Sequence, residues 1–334
     1  MKIPNKDSRV YRFFGSKFAC IGKNFSYDDA LTFTKTVKKE LDSLGAKYNK
    51  KDIAHIGATG FNQIGTIPNM LQAANEAYEK ATLIGANEAF IRDSNDLARD
   101  MESWRDLVFD IIQNSNFEVK YISDAKNLHT DDDKTIMQEA FTKATDKEGN
   151  DIPIGTFVSI AERYNKITEF DKAVISKVIE HIKINNIQHE ISINLSLESI
   201  NDTGFISWIE QTLTKYKEIT PLMVFSITAY AAAKDVAKFK FFADEVHKFG
   251  AKVIIKRFET KFIPLDNIKD FNLDYIRLAR DYTNNIANDN SKQSFVEAIS
   301  ELSSLLNIKV FAENVKDDED LETLKEFNIL GASR

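Results

Sequence analysis

Lys256 and Arg257 stand side by side at the end of an apolar run that starts at Val253, and the stretch Phe258-Glu259-Thr260-Lys261-Phe262 follows them. A neighbouring ammonium and guanidinium repel metal ions and attract anions. That strand end therefore suits capture of a phosphate by charge-assisted hydrogen bonds, or ion pairing with internal carboxylates, and it argues against two-metal hydrolysis. Remaining candidates are weaker. Histidines 55, 129, 181, 189 and 247 are scattered without metal-ligand spacing, and His181 and His247 fall on predicted helices as surface or core residues. The run Asp131-Asp132-Asp133 reads as a solvated loop. Cys20, in an apolar strand, reads as an inert buried thiol.

Two kinds of element must position these groups. Residues 9–23 predict a hairpin turning at Gly15-Ser16-Lys17, and Tyr27–Leu44 predicts a helix capped by Ser26, with Ala30, Leu31, Val37, Leu41 and Leu44 on one face. A buried strand over 53–58 and a helix over 68–82, ending near Gly85, complete an α+β pattern. A charged amphipathic helix over 96–114 reads as connector and entry helix, so the expected domains are 1–95, a connector at 96–115, and 116–334. Strands over 118–123, 190–195, 222–228, 252–256, 275–278 and 309–312 alternate with helices over 170–185, 203–217, 234–248, 291–306 and 318–327. Parallel strands alternating with helices point to a (β/α) barrel, with a doubly wound sheet as second choice.

The bulk properties bound the function. The chain has 334 residues, 43% hydrophobic, 24 Phe, 12 Gly and 5 Pro, enough for a large core and unlike a fibrous or low-complexity chain. A net charge of −7 gives nucleic-acid or membrane-surface binding no electrostatic support. The single cysteine forms no internal disulfide, and no apolar run has membrane-spanning length, so the chain as given is expected to be cytoplasmic.

Several stretches resemble known families. Val10-Tyr-Arg-Phe13 followed by Phe14-Gly15-Ser16-Lys17-Phe18, and the later run from Ala74 through Ala77-Tyr78, Ala81 and Gly85 to Asn87, are similar to the second half of a GGDEF domain. Ser16 and Lys17 stand where that family carries its acidic pair, and the family's first half is not matched, so the resemblance implies no cyclase activity. The segment from about residue 100 resembles an EAL phosphodiesterase domain at six landmarks. These are Glu139-Ala140-Phe141-Thr142-Lys143, Pro153…Phe157 with Ala161-Glu162, Ile193–Ser196, Ser226-Ile227-Thr228-Ala229, Arg277-Leu278-Ala279 and Ala312–Lys316. The fold implied is an EAL-type (β/α) barrel preceded by a partial α+β GGDEF-like domain, with the barrel's late Gln-Gly motif expected beyond Arg334. By residue matching, the family's metal-binding Glu139, Asn194 and Glu313 are present, while Ser226, Lys256, Arg257 and Ala279 replace other ligands and Arg277 replaces a lysine. Pairing of two such altered domains resembles LapD-type receptors, and implies a longer, inner-membrane-anchored protein.

The resemblance implies a catalytically inactive cyclic di-GMP receptor or relay, with neither metal nor cofactor and with Glu139, Phe141, Lys143, Asn194, Lys256, Arg257, Arg277, Glu313 and Lys316 around the ligand. Two alternatives stand beside it: a scaffold that binds protein and no nucleotide, and a weak cyclic di-GMP phosphodiesterase. The protein partner is unidentified, and a second copy of the chain is one option.

Overall fold

The computed structural model describes residues 8–14, 17–50, 52–61, 67–84, 86–92, 101–130 and 134–334. The expected turn at Gly15-Ser16, the helix end at Gly85, the start of the entry helix at 96–100 and the run Asp131–Asp133 lie outside the described residues. The chain divides into two units, Met1–Asp106 and Leu107–Arg334.

In the first unit, β1 (Ser8–Phe14) pairs antiparallel with β2 (Lys17–Gly22). Next, α1 (Tyr27–Tyr48) starts on a reciprocal cap: the Asp29 N–H donates to the Ser26 hydroxyl at 3.1 Å, and the Ser26 N–H donates to the Asp29 carboxylate at 2.9 Å. This helix runs past the expected end at Leu44 because Asn49 supplies the left-handed cap, with φ of 52°. Leu44 is exposed; Thr34 and Gly45 are the buried positions of α1. Cys20 is exposed too, contrary to the buried thiol expected: among the described residues β2 belongs to a sheet of two strands, and Phe18 and Ile21 on its two faces are exposed as well. Partial burial still pushes its thiol pKa up.

Strand β3 (Ile56–Ala58) pairs parallel with β4 (Ala89–Ile91), and α2 (Ile67–Ile84) connects them. Gly57 is required by that packing, since a Cβ there would lie 2.1 Å from the Tyr78 backbone nitrogen. Asn87, buried and left-handed at φ 55°, accepts from the Ile53 N–H at 2.7 Å and donates to Asp42 at 3.1 Å, tying two connections together.

The division falls within α3 (Met101–Gln113), whose part in the second unit buries Val108 and Ile111. This helix leads into β5 (Phe117–Asn127), β6 (Thr135–Thr145), β7 (Asp151–Ile152), α4 (Ile154–Arg163) and α5 (Ile167–Ile184). There follow β8 (Glu190–Asn194), α6 (Leu197–Asn201), α7 (Thr203–Lys215), β9 (Met223–Thr228), α8 (Ala229–Lys234) and α9 (Val236–His247). The last elements are β10 (Lys252–Phe258), β11 (Tyr275–Leu278), α10 (Arg280–Thr283), α11 (Asn290–Leu305), β12 (Lys309–Ala312), α12 (Asp318–Glu326) and β13 (Gly331–Ala332).

Eight strands close a ring in the order β5-β13-β12-β11-β10-β9-β8-β6 and back to β5, and β7 extends β6 outside it. Unlike the all-parallel expectation, β5 runs antiparallel to both neighbours, β6 and β13. The interior carries an apolar layer of Ala125, Met137, Val224, Ile254, Tyr275 and Phe311, one residue from each of six strands. Strand β6 was not among the expected strands. Its inward face passes from Met137 to Glu139, and that charge breaks the apolar alternation by which strands are recognised. Among the described residues no helix is long and apolar enough to cross a membrane.

Gly57→Ala is expected to destabilise the first unit by about 1–3 kcal/mol through overpacking. Denaturant unfolding monitored in that unit checks it; an unchanged midpoint would mean that α2 yields without cost.

Candidate functional site

Alternation along each barrel strand sends every second side chain inward, so adjacent strands in register place polar residues at one height. Glu139 on β6 is level with Ser192 on β8, and Asn194 is level with Ser226 on β9. Lys256 ends the inward row of β10, Arg277 that of β11, and Glu313 directly follows β12. All these positions lie towards the C-terminal ends of the parallel strands, the end at which barrels of this kind build sites.

Glu139 is the hub. Its Oε1 accepts from Asn194 Nδ2 at 2.9 Å and from Lys256 Nζ at 3.3 Å, and its Oε2 accepts from Arg277 at 2.8 Å. Lys256 Nζ also donates to Asn194 Oδ1, so the ammonium sits between a carboxylate and an amide oxygen. Arg277 is buried, with its second Nη 3.5 Å from Met137 Sδ. Its first Nη lies 4.0 Å from Glu313 Oε2, and Glu313 Oε1 accepts from Arg280 Nε at 2.9 Å. The Ser226 hydroxyl is buried and unpaired among the described residues.

Burial alone would raise the Glu139 pKa, but Lys256, Arg277 and the Asn194 hydrogen bond hold it down at about 2. Burial pulls Lys256 below its ordinary value; Glu139 opposes that, while Arg257 and Arg277 reinforce it. Glu139 therefore stays ionised and serves as the shared counter-ion of two cations.

The structure thus brings together Glu139, Asn194, Lys256, Arg277 and Glu313 from the expected set. It places the other four differently. Phe141 and Ile122 are 37% and 38% exposed on the β5–β6 hairpin, where Ile122 is directly opposite Glu139 and Lys120 opposite Phe141. Lys143 pairs with Asp151 at 2.9 Å and lines a groove of about 690 Å³ with Tyr121, Lys177 and His181. Arg257 is exposed in the left-handed region at φ 52°, inside a register shift between β10 and β11 that lets Phe258 rejoin the pairing opposite Leu278. Lys316 is exposed on the loop after β12.

Sequence reasoning missed Arg280, which no strand pattern marks, and missed Asp171 and Glu198, which lie beside the landmark residue Glu162 outside the barrel. Glu162 is pushed up to about 7 by burial and by neighbouring Glu198 and Asp171. Asp171 is raised to about 6, by burial first, and it accepts from the Ser196 N–H and hydroxyl, each at 2.9 Å, at the end of β8. Only the fold could reveal that these carboxyls lose water.

Because the Glu139 pKa is depressed, its contribution to stability is present above the ordinary carboxyl pKa of 4.5 and is lost as pH falls towards about 2. Acid unfolding should show that loss in the wild type and a flatter pH dependence in Glu139→Gln. Glu139→Ala, which strands the buried Arg277 and the part-buried Lys256, should cost about 3–5 kcal/mol. If Glu139→Leu, which removes the same charge and keeps the bulk, costs clearly less than Glu139→Ala, lost packing is the cause.

Comparison with known proteins places this geometry. The EAL domain family model matches residues 109–332. Among solved structures, the S helix-GGDEF-EAL portion of Vibrio cholerae LapD, solved apo and bound to c-di-GMP, superimposes with a TM-score of 0.67, covering 99% of this chain and 79% of that one. Identity to the apo form is 24%, so the likeness speaks for the fold. The FimX EAL domain from Pseudomonas aeruginosa, bound to c-di-GMP, gives a TM-score of 0.63 at 16% identity, covering 69% of this chain and 93% of that one. The cyclic di-GMP phosphodiesterase PdeB of Shewanella oneidensis is 22% identical over 267 residues, which is 78% of this chain and 31% of PdeB. The chain spans about a third or less of the first curated relatives it matches. With the family model covering most of its length, the chain belongs to the EAL domain family.

Proposed function

We propose that the chain is a signalling module that binds cyclic di-GMP without hydrolysing it. The observation that carries this reading is the Lys256 ammonium lodged between Glu139 and Asn194, with the Arg277 guanidinium on the other Glu139 oxygen. Hydrolysis in this family's manner needs two cations held by oxygen ligands. A divalent ion entering here would meet an ammonium already bonded to those oxygens, so these residues do not fit a metal pair. The same two side chains can neutralise phosphodiester groups directly. Arg257 adds a further cation at the mouth, and the exposed faces of Phe141 and Ile122 offer apolar surface to a purine.

The LapD and FimX structures were solved with c-di-GMP bound, which supports a ligand of this class, although relatives such as PdeB are named phosphodiesterases. On this reading the first unit is half of a GGDEF-like domain. The nucleotide would act by favouring one arrangement of the module with its partner over another. Both carboxylates of the cluster already have cationic partners. That pairing favours the second reading, a protein-binding scaffold whose pocket is sealed by its own ion pairs.

Thermal unfolding separates the readings. Cyclic di-GMP at about 100 times its Kd should add about 2.7 kcal/mol of stability in EDTA. The dinucleotide should be recovered intact after incubation with Mg²⁺ or Mn²⁺, and Arg257→Glu should remove the stabilisation from a folded protein. No stabilisation of the wild type would favour the scaffold; metal-dependent loss of the dinucleotide would make the protein a phosphodiesterase.

A further inference from the structure

Arg280 opens α10, immediately beyond the strand that carries Arg277. Its side chain is 61% exposed, while that of Glu313, to which its Nε donates, is 14% exposed. The buried Arg277 stands 4.0 Å from the other Glu313 oxygen, just beyond hydrogen-bond distance. Glu313 therefore lies between an inner guanidinium already engaged by Glu139 and an outer one reaching into solvent. The wider cluster sets Lys256, Arg257, Arg277 and Arg280 against Glu139 and Glu313, an excess of positive charge at the mouth of an acidic protein.

We propose that Arg280 and Glu313 form a charge latch on this site: Glu313 holds Arg280 while the site is empty, and an entering phosphodiester takes Arg280 over. The proposal rests on the reading that a cyclic dinucleotide binds here, and it names a ligand-binding residue and the residue that competes for it. The arginine end of the pair is 61% exposed and screened by solvent, so Arg280 is easier to detach than the buried Arg277. Its planar guanidinium can then meet two phosphate oxygens at once, a stronger interaction. Glu313, released, has Arg277 within a small side-chain movement and is not left unpaired beside an anion. Glu313 consequently opposes ligand binding in the wild type, and its neutral isostere should bind better.

The test is calorimetric titration of cyclic di-GMP into wild type, Arg280→Ala, Arg280→Lys and Glu313→Gln, at low and at physiological salt. Arg280→Ala should weaken binding about tenfold or more and reduce its salt dependence. Arg280→Lys should recover part of the loss, having charge without the planar fork. Glu313→Gln should tighten binding about two- to fivefold. If the wild type binds and Glu313→Gln weakens binding as Arg280→Ala does, Glu313 merely orients the arginine and the latch is wrong. Unchanged binding by Arg280→Ala likewise overturns the latch and leaves the receptor reading standing. No binding by the wild type would remove both.

Discussion

Glu139 is one carboxylate shared by a buried cation, Arg277, and a part-buried one, Lys256, and the upper half of the barrel is arranged around that sharing. Lys256 reaches it from β10, Arg277 from β11 and Asn194 from β8. A buried ion left without a partner costs several kcal/mol, so moving or neutralising any one of the three charged groups alone carries a cost in stability. The strands bearing them must consequently keep their register. A slip of one residue on β10 would turn Lys256 outward and put Arg257 or Ile255 in its place. The left-handed backbone at Arg257 and the register shift beside it let β10 end its inward row at Lys256 and still return Phe258 to the core.

A second polar group lies at the other end of the same strands. Glu190 accepts from the Tyr275 hydroxyl at 2.8 Å and pairs with Lys252, and Lys252 donates to the Tyr275 oxygen at 3.0 Å. The apolar layer of Met137, Val224, Ile254 and Phe311 separates the two groups. Position distinguishes their roles. The lower group sits at the N-terminal ends, where barrels place residues that stabilise them, while the upper one opens towards the loops. There Arg257, Arg280, Phe141 and Ile122 are exposed around a buried ionic centre. On the proposed reading, an anion arriving at that face would meet cations in place and exchange partners with them, without first recruiting a metal.

How much of this was legible depended on how each residue sits in its pattern. Asn194, Lys256 and Arg277 end or interrupt runs of apolar β-formers, and Glu313 closely follows one, so strand and site could be read together. Ser26 marks its helix as a preferred N-cap residue, and Asp29 completes the cap in the structure. Glu139 is legible only through the resemblance of its local motif, because its charge interrupts the apolar alternation that would mark β6. The antiparallel course of β5 leaves no mark in composition. Lys143 kept its motif position yet turned to Asp151, since a long side chain takes the nearest counter-ion that the fold supplies. Arg280 is an ordinary arginine until the fold sets Glu313 beside it. Glu162 and Asp171 become unusual only through desolvation and mutual repulsion. Cys20 was misplaced because a strand's apolarity does not reveal whether anything covers it.

The central claim is that the Lys256 ammonium stands in for a metal ion at a phosphodiester-binding site. The most direct measurement is the affinity of wild type and Lys256→Met for cyclic di-GMP, in EDTA and then in Mg²⁺. The account predicts that the wild type binds equally well in both buffers and that Lys256→Met loses about tenfold or more in each. Wild-type binding that appears only with Mg²⁺, or a Lys256→Met protein that binds as well as wild type in EDTA, would contradict it.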